Sequence, residues 1–178
     1  MKRFSSKEDP NLTFVLHALP LTGLEVVIPA LQDEGYLITE IAEADRDDLT
    51  ISLVSHPLVW LHRIYNLPVT QPMQTNEHYH RILQIARHSL SFDAFCQAIV
   101  QCAGIVYEAF SAIKADSVLR MEDFPWNFVE LLKSFEAPAE YLKTHEFQAW
   151  PEPSPQMNDL RRQLVKSEQL FCEAYDYL

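Results

Sequence analysis

The residues of this sequence that could do chemistry are two histidines at the ends of apolar runs and one short loop. His17 lies in the run 12–19 (LTFVLHAL), and His56 follows the run 50–54 (TISLV) in Ser55-His56-Pro57. A histidine held at or near a strand end can act as a general base on a hydroxyl. It can equally be a hydrogen-bonded structural residue, and no catalytic motif surrounds either one. The loop Pro20-Leu21-Thr22-Gly23-Leu24-Glu25 leaves the first run and opens a segment with helical spacing. Backbone N–H groups at such a helix start, together with the helix dipole, attract an anion. Thr22 and Gly23 suit that geometry; they also suit an ordinary turn between strand and helix.

Other clusters offer less. Glu77-His78-Tyr79-His80 and His88 suggest metal ligands. On a helix, His78 and His80 point about 200° apart, so only His80, Gln84 and His88 share a face. No HExxH frame accompanies them, and no metal is expected. Cys96, Cys102 and Cys172 have no CxxC spacing and read as reduced thiols. Hydrolysis by a serine elbow lacks the G-x-S-x-G motif, and a Walker motif is absent. Arg161-Arg162 is too small a basic cluster for nucleic acid. The formal charge of −11 also opposes a phosphate backbone, so no nucleic-acid partner is expected. No apolar run reaches the ~20 residues of a membrane span, and residues 1–10 lack the apolar core of a signal peptide. A cytoplasmic protein with no membrane partner is the expectation.

The elements that must position these residues follow from periodicity. The 178 residues, 48% of them hydrophobic, suffice for one domain with a buried core. Residues 1–10 are polar and charged and read as a flexible N-terminus. Buried strands are expected at 12–19, 50–54 and 117–121, with a weaker one at 36–42 interrupted by Thr39 and Glu40. Helices are expected at 24–32, with Pro29 inside and Gly35 as the cap beyond it, and at 58–65 after Pro57. Further helices are expected at 76–88, at 94–113 after an N-cap at Ser91-Phe92-Asp93, and at 125–136. Residues 43–48 read as a solvated turn or short helix, and 66–74 as a loop. A proline-rich linker at 144–155 leads to a last helix, 156–178, with Leu160, Leu164, Phe171, Tyr175 and Leu178 on one stripe. The alternation predicts an α/β domain: a small, mainly parallel sheet of about four strands with helices on both faces, in three layers. Ligands of such folds bind beyond the carboxyl ends of the strands, which selects the loops 19–25, 54–57 and 122–125.

Several segments resemble sulfotransferases. Residues 14–25 (FVLHALPLTGLE) are similar to the family's phosphosulfate-binding segment, an apolar strand followed by Pro-Arg/Lys-Ser-Gly-Thr-Thr. Pro20, Thr22 and Gly23 fall on its proline, serine and glycine. Residues 49–65 (LTISLVSHPLVWLHRIY) resemble the next segment, a strand running into Arg-Asp/Asn-Pro with a serine six residues later. Pro57 falls on that proline and Arg63 on that serine. Residues 118–124 (VLRMEDF) resemble Leu-Arg-Tyr-Glu-Asp-Leu, and 91–107 the long helix before it. The segments follow family order and span about two thirds of the chain.

The resemblance implies a P-loop-type fold that transfers a sulfuryl group from 3′-phosphoadenosine-5′-phosphosulfate to a hydroxyl acceptor, a small molecule or a glycan. It implies a nucleotide site built from Pro20, Leu21, Thr22, Gly23, Leu24, Glu25, Ser55 and Arg63. Such chemistry needs a base, for which His17 and His56 are the candidates, and cations on the transferring group. The departures concern those cations and hydroxyls. Leu21 stands where the family has a cation. Leu24 and Glu25 replace hydroxyl residues that meet the 5′-phosphosulfate. Ser55 replaces the arginine of the 3′-phosphate, a charge that Arg63 could supply from its helix. They define an alternative: a catalytically inactive interaction or regulatory module of this fold, with Leu21 and Leu24 closing the pocket. In that reading the C-terminal helix packs on its own sheet or on a second copy, giving a homo-oligomer.

Overall fold

A computed structural model of the chain describes residues 1–9, 11–66, 76–153 and 158–177. The chain divides into two compact units, Met1–Val54 with Ile113–Trp150, and Ser55–Ala112 with Pro151–Leu178.

The first unit carries the sheet. Its strands are β1 (Lys2–Ser6), β2 (Thr13–Leu16), β3 (Tyr36–Glu40), β4 (Leu49–Val54) and β5 (Ser117–Arg120), in the order β3-β1-β2-β4-β5. β2, β4 and β5 run parallel, as their apolar runs predict. β1 pairs antiparallel with both β2 and β3, so the sheet is mixed and has five strands rather than about four. The additional strand lies within residues 1–10, which read by composition as a flexible tail. Its one large apolar side chain, Phe4, is fully buried and stacks on Phe14 with ring centroids 5.2 Å apart. Its charges find partners: Lys2 pairs with Glu40 across β1 and β3, and Arg3 Nη2 lies 2.5 Å from both Asp45 and Asp48. The acidic run 43–48 is thus partly a counter-ion for β1.

Helices α1 (Leu24–Asp33), α6 (Trp126–Ser134) and α7 (Glu140–Thr144) complete this unit. Alternate strand residues Phe14, Leu16, Ile51 and Leu53 form one core with Val27, Leu31, Phe128, Leu132 and Leu142 of the three helices, the period of two expected of strands. α1 contains Pro29, as predicted, and is followed by Gly35 at φ 103°. α7 has no counterpart among the expected helices. Its Leu142 N–H donates to Glu34 Oε2 at 2.8 Å, so a carboxylate just after α1 caps it.

The described part of the second unit has no strand. It contains α2 (Pro57–Asn66), α3 (Glu77–His88), α4 (Phe92–Gln101), α5 (Ile105–Ser111), α8 (Asn158–Ser167) and α9 (Gln169–Ala174). The expected cap forms at Ser91, whose Oγ accepts from Ala94 N–H at 3.1 Å, while Asn76, expected as the first residue of its helix, caps α3 instead, its Oδ1 accepting from Tyr79 N–H at 2.9 Å. Trp60 packs between Tyr79 and Phe110, and Phe110 against Phe171.

Two expected helices are broken. The segment 94–113 forms α4 and α5, bent by 79° at Gly104, whose φ of 84° few other residues adopt. The segment 156–178 forms α8 and α9, separated at Glu168. Of its stripe, Leu164 and Phe171 are buried, and Phe171 and Tyr175 both contact Phe110. Leu178, residues 154–157 and residues 67–74 of the expected loop lie outside the described residues. Among the described residues no single helix is long and apolar enough to cross a membrane.

Candidate functional site

The site read from the sequence draws on both units. His17, Pro20, Leu21, Thr22, Gly23, Leu24 and Glu25 belong to the first; Ser55, His56 and Arg63 belong to the second.

In the first unit, β2 leads into α1 through residues 17–23. His17 extends the ladder by one bond, its N–H donating to the Ile51 carbonyl at 2.9 Å. Its imidazole is half-buried, and burial, aided by the N-terminal charge, holds it below the ordinary pKa of 6.5. A neutral imidazole is the form a general base needs. The chain then turns sharply. Leu21 adopts φ 65°, in the left-handed region that disfavours a branched residue. Thr22 is fully buried, and its Oγ1 donates to the Leu19 carbonyl at 2.6 Å. The hydroxyl expected to face a phosphate is therefore turned inward and engaged. Gly23 caps α1 at φ 114°, and the N–H groups of Val26 and Val27 close onto its carbonyl.

The space beside Gly23 is filled. A Cβ at this position would lie 2.5 Å from Met121 Cε and Sδ and 2.8 Å from its Cγ. Met121 is itself buried, at the start of the 3₁₀ turn Met121–Asp123 that follows β5. The two loops beyond the parallel strands β2 and β5 thus meet through a methionine side chain. Leu24 packs at the margin of the core, and Leu21 is half-buried. The segments 17–25 and 117–125 contain one Lys or Arg, Arg120, and its Nε faces Asp123 at 3.3 Å. Their carboxylates are Glu25, Glu122 and Asp123. Balanced against one paired guanidinium, these side chains do not favour a dianion. Met121 is a residue that sequence reasoning did not single out. Its signal was its place in VLRMEDF, where the sulfotransferase segment has tyrosine.

In the second unit, Ser55 and His56 precede α2. His56 is buried, and its Nδ1 accepts the Leu58 N–H at 3.2 Å, while its carbonyl accepts from Trp60. The imidazole therefore acts as a cap on α2, which leaves Nδ1 unavailable as a base. Its ring also meets the edge of Tyr177, with centroids 5.5 Å apart. Ser55 Oγ is buried with no hydrogen-bond partner among the described residues. Arg63 lies in the last turn of α2, half-buried, where a cation favours the helix dipole. His78, from the histidine cluster on α3, pairs through Nδ1 with Glu108 at 3.0 Å. Comparison with protein-family models, curated proteins and solved structures yields no match for this chain.

Proposed function

We propose that this protein is a sulfotransferase-like module of the P-loop type whose phosphosulfate loop is filled from within, and that it works as a non-catalytic interaction or regulatory module. One observation carries this reading: Met121 packs against Gly23 so closely that a Cβ there would lie 2.5 Å from its Cε and Sδ, on the loop where the resemblance would seat a phosphate. The inward bond of Thr22 and the leucine at position 21 act in the same direction. The frame itself is supported by the parallel pairing of β2 with β4 and β4 with β5, each followed by a helical turn or helix. Trp126, 60% exposed at the start of α6, is the type of side chain that anchors protein contacts. Free thiols at Cys96, Cys102 and Cys172 suit a reducing, cytoplasmic setting.

A second reading keeps the catalytic function: sulfuryl transfer from 3′-phosphoadenosine-5′-phosphosulfate to a hydroxyl acceptor, with the neutral His17 as base. It rests on the left-handed Gly23 at the start of α1, the backbone shape that a phosphate-binding loop uses.

Isothermal titration with adenosine 3′,5′-bisphosphate separates the two. The module reading expects no heat of binding at about 1 mM nucleotide, the weak end of specific affinities. Saturable binding, or sulfuryl transfer to any hydroxyl acceptor, overturns it in favour of the enzyme.

A further inference from the structure

The second unit buries a carboxylate that neither reading of the β2–α1 loop uses. Glu168 is the residue between α8 and α9 and is fully buried. Its Oε2 accepts the Tyr107 N–H at 3.2 Å, in the first turn of α5, and the backbone N–H groups of Val106 and Gly104 also favour its charged form. The Gly104 N–H also donates to the Ser167 carbonyl at 3.1 Å. The break between α8 and α9 is therefore locked onto the break between α4 and α5. Oε1 has no hydrogen-bond partner among the described residues. A buried carboxylate with one bare oxygen is costly to ionise.

The surrounding charges do not relieve that cost. α5 contributes Glu108, which repels a carboxylate and is itself bonded to His78 of α3 at 3.0 Å. α9 contributes Glu173 and Cys172, the latter with a thiol pushed up to about 11 by burial and then by Glu168. Arg161 on α8 acts on Cys172 in the opposite sense. Tyr107 presents its backbone N–H.

We propose that Glu168 is a proton-operated latch: its protonated carboxyl holds the α8–α9 corner on the start of α5, and its ionisation loosens that corner. Protonation leaves Oε2 able to accept the Tyr107 N–H and removes the buried charge. Burial pushes the carboxyl up to about 7 from its ordinary 4.5, against the pull of the Tyr107, Val106 and Gly104 N–H groups and with Glu108 adding to the rise. The closed corner thus holds its proton more tightly than an open one. Its contribution is complete below pH 4.5 and is lost as pH rises through about 7.

Amide exchange and chemical shifts of the full chain, followed by NMR from about pH 5 to about pH 8, test the latch. After correction for intrinsic exchange, protection at residues 104–107 is expected to fall about 10- to 100-fold over that range. The Tyr107 amide shift should titrate with a midpoint near 7. Glu168→Gln should abolish both dependences, while His78→Gln should leave the midpoint in place. A Tyr107 midpoint near 4.5, a midpoint that disappears in His78→Gln, or unchanged pH dependence in Glu168→Gln overturns the proposal. If Glu168→Gln does not fold, wild type and His78→Gln decide it.

Discussion

Gly23 carries two constraints at once. Its φ of 114° disfavours any residue with a Cβ, and the place of that Cβ is held by Met121. Gly104 isolates the first constraint, since it has φ 84° and nothing within 4 Å of a Cβ. A left-handed backbone costs an L-residue about 1–2 kcal/mol, and forcing atoms into a packed core adds a similar amount. Gly23→Ala should therefore destabilise the protein by about 2–4 kcal/mol in urea unfolding. In a Met121→Ala background the same substitution should cost only its backbone share of about 1–2 kcal/mol. Equal costs in the two backgrounds would mean that Met121 does not press on the loop. This cycle concerns packing alone, so it tests the filled loop independently of any nucleotide.

At the scale of elements, β1 is the test of what builds the sheet. It lies between β2 and β3 and pairs with both, so each depends on it for backbone hydrogen bonds. Its pairs Lys2–Glu40 and Arg3–Asp45 are partly exposed and contribute little each. The burial of Phe4 against Phe14 stabilises the strand more than either pair does. Phe4→Ala should cost about 3–5 kcal/mol, measured by urea unfolding, whereas Lys2→Ala should cost less than about 1 kcal/mol. A Phe4→Ala protein as stable as wild type would mean that the packing of Phe4 does not hold the first strand in the sheet.

At the scale of the whole molecule, charge dominates. A formal charge of −11 makes the folded chain repel itself, and salt screens that repulsion. Salt also screens the favourable pairs of Lys2, Arg3 and Lys143, but exposed pairs are worth only a few tenths of a kcal/mol. Repulsion should win, so Tm should rise by about 2–4 °C as sodium chloride goes from about 20 mM to about 500 mM. A falling Tm in differential scanning calorimetry would show that the ion pairs of β1 outweigh the net charge.

What the sequence determined by itself is local. The apolar runs at β2 and β4 and the proline or glycine that ends each one specify strands entering helices, because burial on both faces removes the polar alternation of an exposed strand. The cap at Ser91 is equally local, since its side chain reaches a backbone N–H three residues away. The tertiary structure decided the rest. β1 was not legible, because Lys2 and Arg3 suit a strand only when Glu40, Asp45 and Asp48 are brought beside them. The breaks at Gly104 and Glu168 were hidden, because apolar spacing continues through them while the bonds that hold them join Gly104 to Ser167 and Tyr107 to Glu168. The β2–α1 loop was placed correctly, yet its occupant was not, because Met121 lies about 100 residues further along the chain. Hydrogen bonding and apolar periodicity are short-ranged along a chain and can be read from it; which side chain fills a given space is settled only when distant segments pack.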